Sequence, residues 1–263
     1  MIMRFSIITP SLNQGAWLEE NLRSVRRAAG EAGVEVEHLV MDGGSTDGTK
    51  EILARQDFAR WTSEPDAGQT DAINKGLRQS TGEILGYLCA DDFLEPGALA
   101  QVSEAFRAAP HADVVYGDAF FLESDSGWKR LKRAGDFSVR RLRRGNFLLQ
   151  PAVFWRRSVY EKSGALDAGL QYCMDHEYWL RIAAHTRWQY LPAPLAVCRL
   201  HADAKTSRAL AAAWQEAAQM QARYGIRFRP AWDALWMRIA GQHFYRLKRT
   251  ILARAGKLRR ATS

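Results

Sequence analysis

Apolar positions along the chain fall into short continuous runs that alternate with amphipathic stretches. Residues 4–8, RFSII, make a β-rich run ended by Thr9-Pro10-Ser11. Pro10 has no amide to donate, so it is expected to stop a central strand. Leu18, Leu22 and Val25 then recur at helical spacing. A second strand is expected over 35–42, EVEHLVMD, alternating and then continuous. The turn GGSTDGT leads from it into the helix KEILARQ. RWTSE, 60–64, reads as a third short strand, and AGQTDAINKGLRQS as a loop and helix that Gly82 closes. EILGYLCA is a fourth strand. A helix with Pro96 in its first turn follows, then a fifth strand, ADVVYGD, over 112–118.

Strands alternating with helices through short loops predict an α/β fold with a mainly parallel central sheet flanked by helices. Ligands bind such sheets at the carboxyl ends of the strands. That rule puts Pro10–Asn13, Asp42–Asp47, Glu64–Asp71 and Asp91–Asp92 on one rim. The pattern loosens after residue 119. A helix is expected around 175–185, and a strand pair or extended segment with two prolines over WQYLPAPLAVCRLH. Residues 207–225 and 230–256 read as helices.

The 263 residues are 47% apolar and 25% charged, a globular balance that argues against disorder as the main state. Cys89, Cys173 and Cys198 are odd in number and show no CxxC spacing. Neither a disulfide framework nor a zinc knuckle is suggested, and reduced thiols in a cytosolic protein are expected. The first residues lack the apolar length and cleavage pattern of a signal peptide. No run approaches the ~18 apolar residues of a spanning helix. A soluble or peripheral protein is therefore expected, cytoplasmic or on the inner face of the cytoplasmic membrane.

The net charge of +8 is local. Residues 226–263 hold ten Lys or Arg and one acid, which leaves 27 basic and 28 acidic residues elsewhere. A second basic cluster spans Gly127–Gly145. Local basic patches suggest anionic partners, either an anionic acceptor or lipid headgroups, though a solvated charged face has the same signature.

The carboxylates are the candidate chemistry. Asp42, before two glycines at a strand end, could accept hydrogen bonds from a base or ribose, or simply form an Asp-Gly turn. Asp71 could reach back into the crevice or cap its helix. Asp91 and Asp92 repel each other at the end of an apolar strand. A hard divalent cation would offset that repulsion, and N-capping of the next helix is the alternative. Asp175 and Trp179 are four apart on one helical face, with Glu177 between them. A carboxylate beside an aromatic wall can act as a general base near a sugar ring, while ordinary N-terminal helix acids are the plainer reading. His201 is a lone histidine that is structural or completes a metal site.

In this order the motifs SIITPSLNQGAWLEENLRSV, VMDGGSTDGT, EPDAGQTDAINKGL, GYLCADD, MDHEYWLR and CRLH resemble the family 2 glycosyltransferases, over roughly residues 4–205. The resemblance implies a GT-A fold, a Rossmann-like nucleotide-sugar-binding architecture. It implies a nucleotide-binding half over 1–118 and an acceptor half over 119–205; residues 206–263 are expected to form a helical basic extension. Thr9, Pro10, Ser11 and Asn13 would border the nucleotide. Asp42 would bind the base, usually a pyrimidine, and Asp71 would shape the donor site. Asp91 would face the ribose or sugar. Asp92 would bind Mn²⁺ or Mg²⁺ on the diphosphate, with His201 contacting the metal or diphosphate. Asp175 would be the general base of an inverting transfer from a nucleotide-diphosphate sugar, UDP-sugars favoured, to an acceptor hydroxyl on a sugar or lipid-linked sugar. Polysaccharide assembly is the family-level expectation. Met174 stands where the family usually has an acid before the base. Asn146, Gln150, Trp155 and Arg156 are acceptor-side candidates by position, beside Glu177 and Trp179.

The alternative is a catalytically inactive sugar- or nucleotide-binding relative, which would be expected to lose Asp91–Asp92 or Asp175. Nucleic acid is not an expected partner, because basic charge is unaccompanied by a binding motif. A dinucleotide-binding enzyme would need GxGxxG after the first strand, where TPSLNQG stands. A phosphatase would need its nucleophilic Asp on that strand. The tail places Trp232, Leu235, Trp236, Ile239, Phe244, Leu247, Ile251 and Leu252 at broadly helical spacing among basic residues. This fits an interfacial helix on an anionic membrane, or a helix packed on the domain.

Overall fold

The first strand is longer than its proline predicts. In the computed structural model, which describes residues 2–201, 204–205 and 209–226, β1 runs Arg4–Ser11 and passes straight through Pro10. It pairs in parallel with β2 (Glu35–Asp42) along its whole length, Pro10 opposite Met41. On its other flank it meets β4 (Ile84–Tyr87) only as far as Ile8 opposite Tyr87. The Ile8 carbonyl faces β4, accepting from the Leu88 amide at 2.8 Å, and the Ser11 carbonyl faces β2, accepting from Gly43. Pro10, two residues after Ile8, therefore turns its amide position towards the β4 side, beyond the point where β4 ends. No ladder bond is lost, and the proline is tolerated inside a central strand.

β3 (Arg60–Ser63) extends the parallel set outward from β2. The sheet order is β3-β2-β1-β4-β8-β6-β9-β5, with β7 on β6. The second half is mixed. β8 (Val153–Arg156) runs antiparallel to both β4 and β6 (Val114–Glu123). β6 pairs in parallel with β9 (Trp188–Leu200) and antiparallel with β7 (Lys129–Lys132). The two-residue β5 (Phe93–Leu94) joins β9. The expected pair or extended segment at 188–200 is one 13-residue strand. Its register skips from Leu191 to Pro194 opposite Gly117–Asp118, so Pro192 and Ala193 leave the ladder as a bulge. A Cβ on Gly117 would lie 2.7 Å from the Ala193 carbonyl, so only glycine lets the bulge close on β6.

Helix α1 (Gly15–Ala32) buries Leu18, Leu22, Val25 and Ala28 on one face and ends at Gly33 with φ +60°. α2 (Thr49–Arg55), α3 (Gln69–Gln79) and α4 (Ala98–Ala108) complete the first half. α5 (Val139–Arg144), α6 (Arg157–Ser163) and α7 (Met174–Ile182) belong to the second. α8 (Leu210–Arg223) follows, close to the expected 207–225. Among the described residues two large core clusters flank the sheet, beside a smaller one of Leu18, Leu22, Val40, Leu53 and Ala90. One gathers Phe5, Ile7, Val25, Leu99, Val102 and Phe154, the other Ile8, Leu39, Ile73, Trp155, Tyr178 and Trp179. All three cysteines are free. No helix among the described residues is long and apolar enough to cross a membrane. The amphipathic stretch from Trp232 to Leu252 lies outside the described residues.

Candidate active site

The carboxyl ends of β1–β4 open onto one rim, and β2 delivers Asp42 there. This carboxylate is 2% exposed and heavily engaged. Oδ2 accepts from the amides of Gly44 and Ser45 at 3.2 and 2.9 Å and from the Ser63 hydroxyl at 2.6 Å, while the Ser45 hydroxyl donates to Oδ1. Asp42 thus builds the loop around itself. The Ser45 hydroxyl also accepts from the Asn13 amide at 2.7 Å, and the Thr46 amide donates to Asn13 Oδ1 at 2.9 Å. Asn13 holds φ +53°, the left-handed region its short polar side chain tolerates. The loops after β1 and β2 are clipped together before any ligand arrives.

Two nucleotide-side expectations change in detail. The Thr9 hydroxyl turns under α1 to His38 Nε2 at 2.9 Å and Asn21 Oδ1 at 3.3 Å, fully buried, so its side chain does not face the rim. Asp71 accepts from the Ala67 amide at 3.2 Å and lies 3.5 Å from Lys75, which ties it to its own loop and helix. Ser11 keeps a buried hydroxyl without a hydrogen-bond partner at the end of β1.

The fourth strand ends at Tyr87, earlier than the apolar run to Ala90 suggests, and a turn carries Asp91 and Asp92. The Asp92 amide donates to the Cys89 carbonyl at 2.9 Å. Two residues from distant elements hold this turn. Asn21 of α1 donates its side-chain amide to the carbonyls of Cys89 and Asp92 at 3.0 and 2.9 Å. Arg199 of β9 gives its backbone amide to Asp92 Oδ1 at 2.9 Å and its Nε to the Asp91 carbonyl at 3.0 Å. Its guanidinium lies over the Trp17 ring and pairs with Glu20. His201 Nε2 lies 3.0 Å from Asp91 Oδ2, so the histidine partners Asp91 and not Asp92. Ligand atoms of Cys89, Asp91 and Asp92 all lie within 4.8 Å of one another. Burial, and then the charge of Asp91, push the Asp92 carboxyl well above the usual carboxylate range, against the Arg199 amide and charge. The donor atoms gathered here are the two carboxylates and the Cys89 thiol, with His201 beside Asp91 alone; the carboxylate oxygens are what a hard divalent cation takes.

α7 presents Asp175 in its first turn. Asn146 donates to Oδ2 at 2.8 Å and the His176 amide to Oδ1 at 2.7 Å. Burial raises the Asp175 carboxyl above its ordinary value; His176, its amide and Asn146 pull the other way. A carboxylate held in this balance is suited to taking a proton. Gln150 spans the floor, donating to the Tyr87 carbonyl at 2.6 Å with its oxygen 3.8 Å from the Cys89 thiol. Burial pushes that thiol well up, and Asp92, Asp91 and Asp175 all add to the shift.

The acceptor-side expectations divide. Asn146 and Gln150 reach the crevice. Trp155 and Trp179 do not: both are fully buried, Trp179 edge-on to Trp155 and to Tyr178, and Trp155 tilted against Tyr178. As core residues they offer no face to a sugar. Glu177 is also framework, 6% exposed, paired with Arg181 at 2.9 Å and accepting from Tyr224 at 2.6 Å. Arg156 opposes Ile84 at the start of β4 and pairs with Glu83, at the other end of the strands. Sequence reasoning missed Asn21 and Arg199. Asn21 interrupts the apolar face of α1 between Leu18 and Leu22, the signal that could have marked it as a buried polar contact.

Residues 6–166 match the family model described as Glycosyl transferase family 2. That segment contains Asp42, Asp71, Asp91, Asp92 and Asn146, and ends before Asp175 and His201. An uncharacterized glycosyltransferase of Mycobacterium tuberculosis is 34% identical over 182 residues, 68% of this chain and 68% of its own length. A PGL/p-HBAD biosynthesis glycosyltransferase of Mycobacterium bovis is 32% identical over 186 residues, covering 67% of this chain and 68% of its own. Among solved structures, S. aureus TarS 1–349 with UDP-GlcNAc superposes with TM-score 0.64 at 18% identity, over 79% of this chain and 61% of that one. The mannosyltransferase PcManGT of Pyrobaculum calidifontis, in complex with GDP-Man and Mn²⁺, gives 0.63 at 22% identity, over 85% and 64%. A longer TarS chain is covered for only 37% of its length. These structural likenesses show the GT-A fold.

Proposed function

This chain belongs to glycosyltransferase family 2, and from that premise we propose that it transfers a sugar, with inversion, from a nucleoside-diphosphate donor to an acceptor hydroxyl, with Asp175 as general base. The observation behind the reading is that Asn146 and the His176 amide hold Asp175 in the first turn of α7, while Asn21 and Arg199 hold the Asp91–Asp92 turn at the end of β4.

The loops clipped by Asp42 and Asn13 receive the nucleotide, and the buried Ser11 hydroxyl is a spare donor beside them. Asp71 shapes the donor loop through the Ala67 amide. Asp92, Asp91 and His201 would hold a divalent cation, Mn²⁺ or Mg²⁺. Bound there, it would supply electrostatic stabilisation for the diphosphate leaving group. Asn146 and the His176 amide hold the Asp175 carboxylate ready at the far wall. It accepts the acceptor's hydroxyl proton as that oxygen attacks the anomeric carbon from the face opposite the diphosphate.

UDP-sugars are the favoured donors, and the acceptor is a sugar or lipid-linked sugar in polysaccharide or glycoconjugate synthesis. TarS was captured with UDP-GlcNAc and PcManGT with GDP-Man, which supports a nucleotide-sugar donor. Residues 1–205 form the catalytic unit together with α8, whose Met220 lies in its core. The basic extension from 206 brings it to an anionic membrane from the cytoplasmic side, and equal flotation of the full chain and residues 1–225 on anionic vesicles would overturn that assignment.

The reaction is tested with a panel of UDP-, GDP- and dTDP-sugars plus Mn²⁺, read by thermal shift and by release of nucleoside diphosphate. One donor class should stabilise the protein and be turned over. A panel that is inert in both readouts would contradict the reading.

A further inference from the structure

Glu216, near the middle of α8, reaches the loop in front of α7. Its carboxylate accepts three consecutive backbone amides: Gln171 on Oε2 at 2.7 Å, and Tyr172 and Cys173 on Oε1 at 2.6 and 2.9 Å. Burial alone would raise this carboxyl, but the three amides outweigh it and hold it below its ordinary value. Successive amides aimed at one point form a concavity that attracts an anion, and here the anion is a protein side chain. Cys173 directly precedes α7, and Asp175 is the second residue of that helix.

The earlier part of the same loop is fixed from α3. Thr70 donates to the Leu170 carbonyl at 2.6 Å, and Asn74 bonds both backbone groups of Leu166 at 2.9 and 3.0 Å. Its last three amides are held from α8 instead. That helix is itself fastened nearby: Arg223 pairs with Asp167 at 2.9 Å and Tyr224 donates to Glu177 of α7 at 2.6 Å. A base must be placed within a fraction of an ångström of its proton, and a misplacement of about 1 Å can cost about a hundredfold in rate.

We propose that Glu216 is a positioning residue for transfer: its carboxylate sets the start of α7 and so aims Asp175 at the acceptor hydroxyl. The proposal rests on the reading of Asp175 as the base. Through Glu216 the C-terminal helix, outside the family-matched segment, is coupled to the chemical step.

The test compares Glu216→Gln, Glu216→Ala and Asp175→Asn in the full chain. Glutamine keeps one carbonyl oxygen that can accept part of the amide set, and alanine keeps none. Per donor-binding site, kcat should fall about threefold to tenfold in the glutamine variant and about tenfold to a hundredfold in the alanine variant. Donor Kd and acceptor KM should stay within about twofold, because among the described residues Glu216 bonds the 171–173 amides and makes no hydrogen bond of its own to the donor loops. Hydrogen exchange at the amides of 171–173 should accelerate in the same order. The proposal is overturned if alanine frees those amides while kcat per site stays at the wild-type value, or if donor binding and activity are lost in equal proportion. Should the alanine variant fail to fold, the glutamine variant decides on the same two measurements. An inactive Asp175→Asn beside normal Glu216 variants removes the positioning role and leaves the base in place. An Asp175→Asn that transfers normally removes both.

Discussion

Replacing Asn146 with alanine removes the side-chain donor to Asp175, a 2.8 Å bond to Oδ2. Burial pushes this carboxyl towards its neutral form, and Asn146 works against that push together with His176. Without Asn146 the neutral acid is favoured further, so the pKa of the base rises. A base with a raised pKa is protonated over more of the pH range, so the acid limb of the kcat profile should move to higher pH. A hydrogen bond to an ionised group is worth about 1.5–3 kcal/mol. Asn146 is exposed, so water replaces part of the bond; at about 1.4 kcal/mol per factor of ten, kcat on the acid limb should fall roughly threefold to tenfold. Well above the limb the base is ionised in both proteins, and the residual loss should be small. The assay is kcat against pH at saturating donor and acceptor, with donor Kd as a control for folding. If the acid limb stays in place and kcat is unchanged within twofold across the range, Asn146 does not tune the base and the reasoning fails.

Two other consequences lie in the scaffold. Glu37 is 7% exposed and accepts from the Ser6 hydroxyl at 2.7 Å and the Thr81 amide at 2.8 Å, bonds that outweigh the effect of burial and lower its pKa from 4.5. Its contribution to stability is therefore present above the usual carboxylate pKa and lost as pH falls through the lower folded value; Glu37→Gln should be less stable at pH 7, and in urea titrations the gap should close towards acid pH. A gap that widens on acidification would reverse the assignment. Gly82 packs so closely on β1 that a Cβ would stand 2.5 Å from the Ser6 amide nitrogen and 2.6 Å from the Phe5 carbonyl carbon. Backbone cannot yield as a side-chain tip can, so Gly82→Ala should cost about 1–3 kcal/mol and lower the melting temperature by several degrees. An unchanged melting temperature would mean that the strand relaxes freely.

The parallel half of the fold was legible because each strand ends in a polar turn that opens a helix, as at Asp42 and at Glu64. The mixed half was not. β5 has two residues, β7 is the basic edge KRLK, and β8 is an apolar stretch whose aromatics look like a sugar platform until Trp155 is found inside the core. Pro10 misled because its effect depends on where the neighbouring strand stops, a fact of tertiary structure. In the site, the strand-end rule put Asp42 and Asp91–Asp92 on one rim, where β2 and β4 end. The residues that hold them escaped notice because their partners are remote in sequence: Asn21 lies 71 positions from Asp92, and Arg199 lies 107. Asn146, suggested by position alone, gained its role from one bond across 29 residues.

The central claim is that Asp175 takes the acceptor's proton. The most direct test is Asp175→Asn, measured for donor binding by calorimetry and for sugar transfer with the donor the panel selects. The amide keeps the shape and loses the basicity, so donor affinity should stay within about threefold while transfer falls by at least a hundredfold, the range of general-base removal. Transfer at the wild-type rate by a variant that binds donor normally would contradict the account.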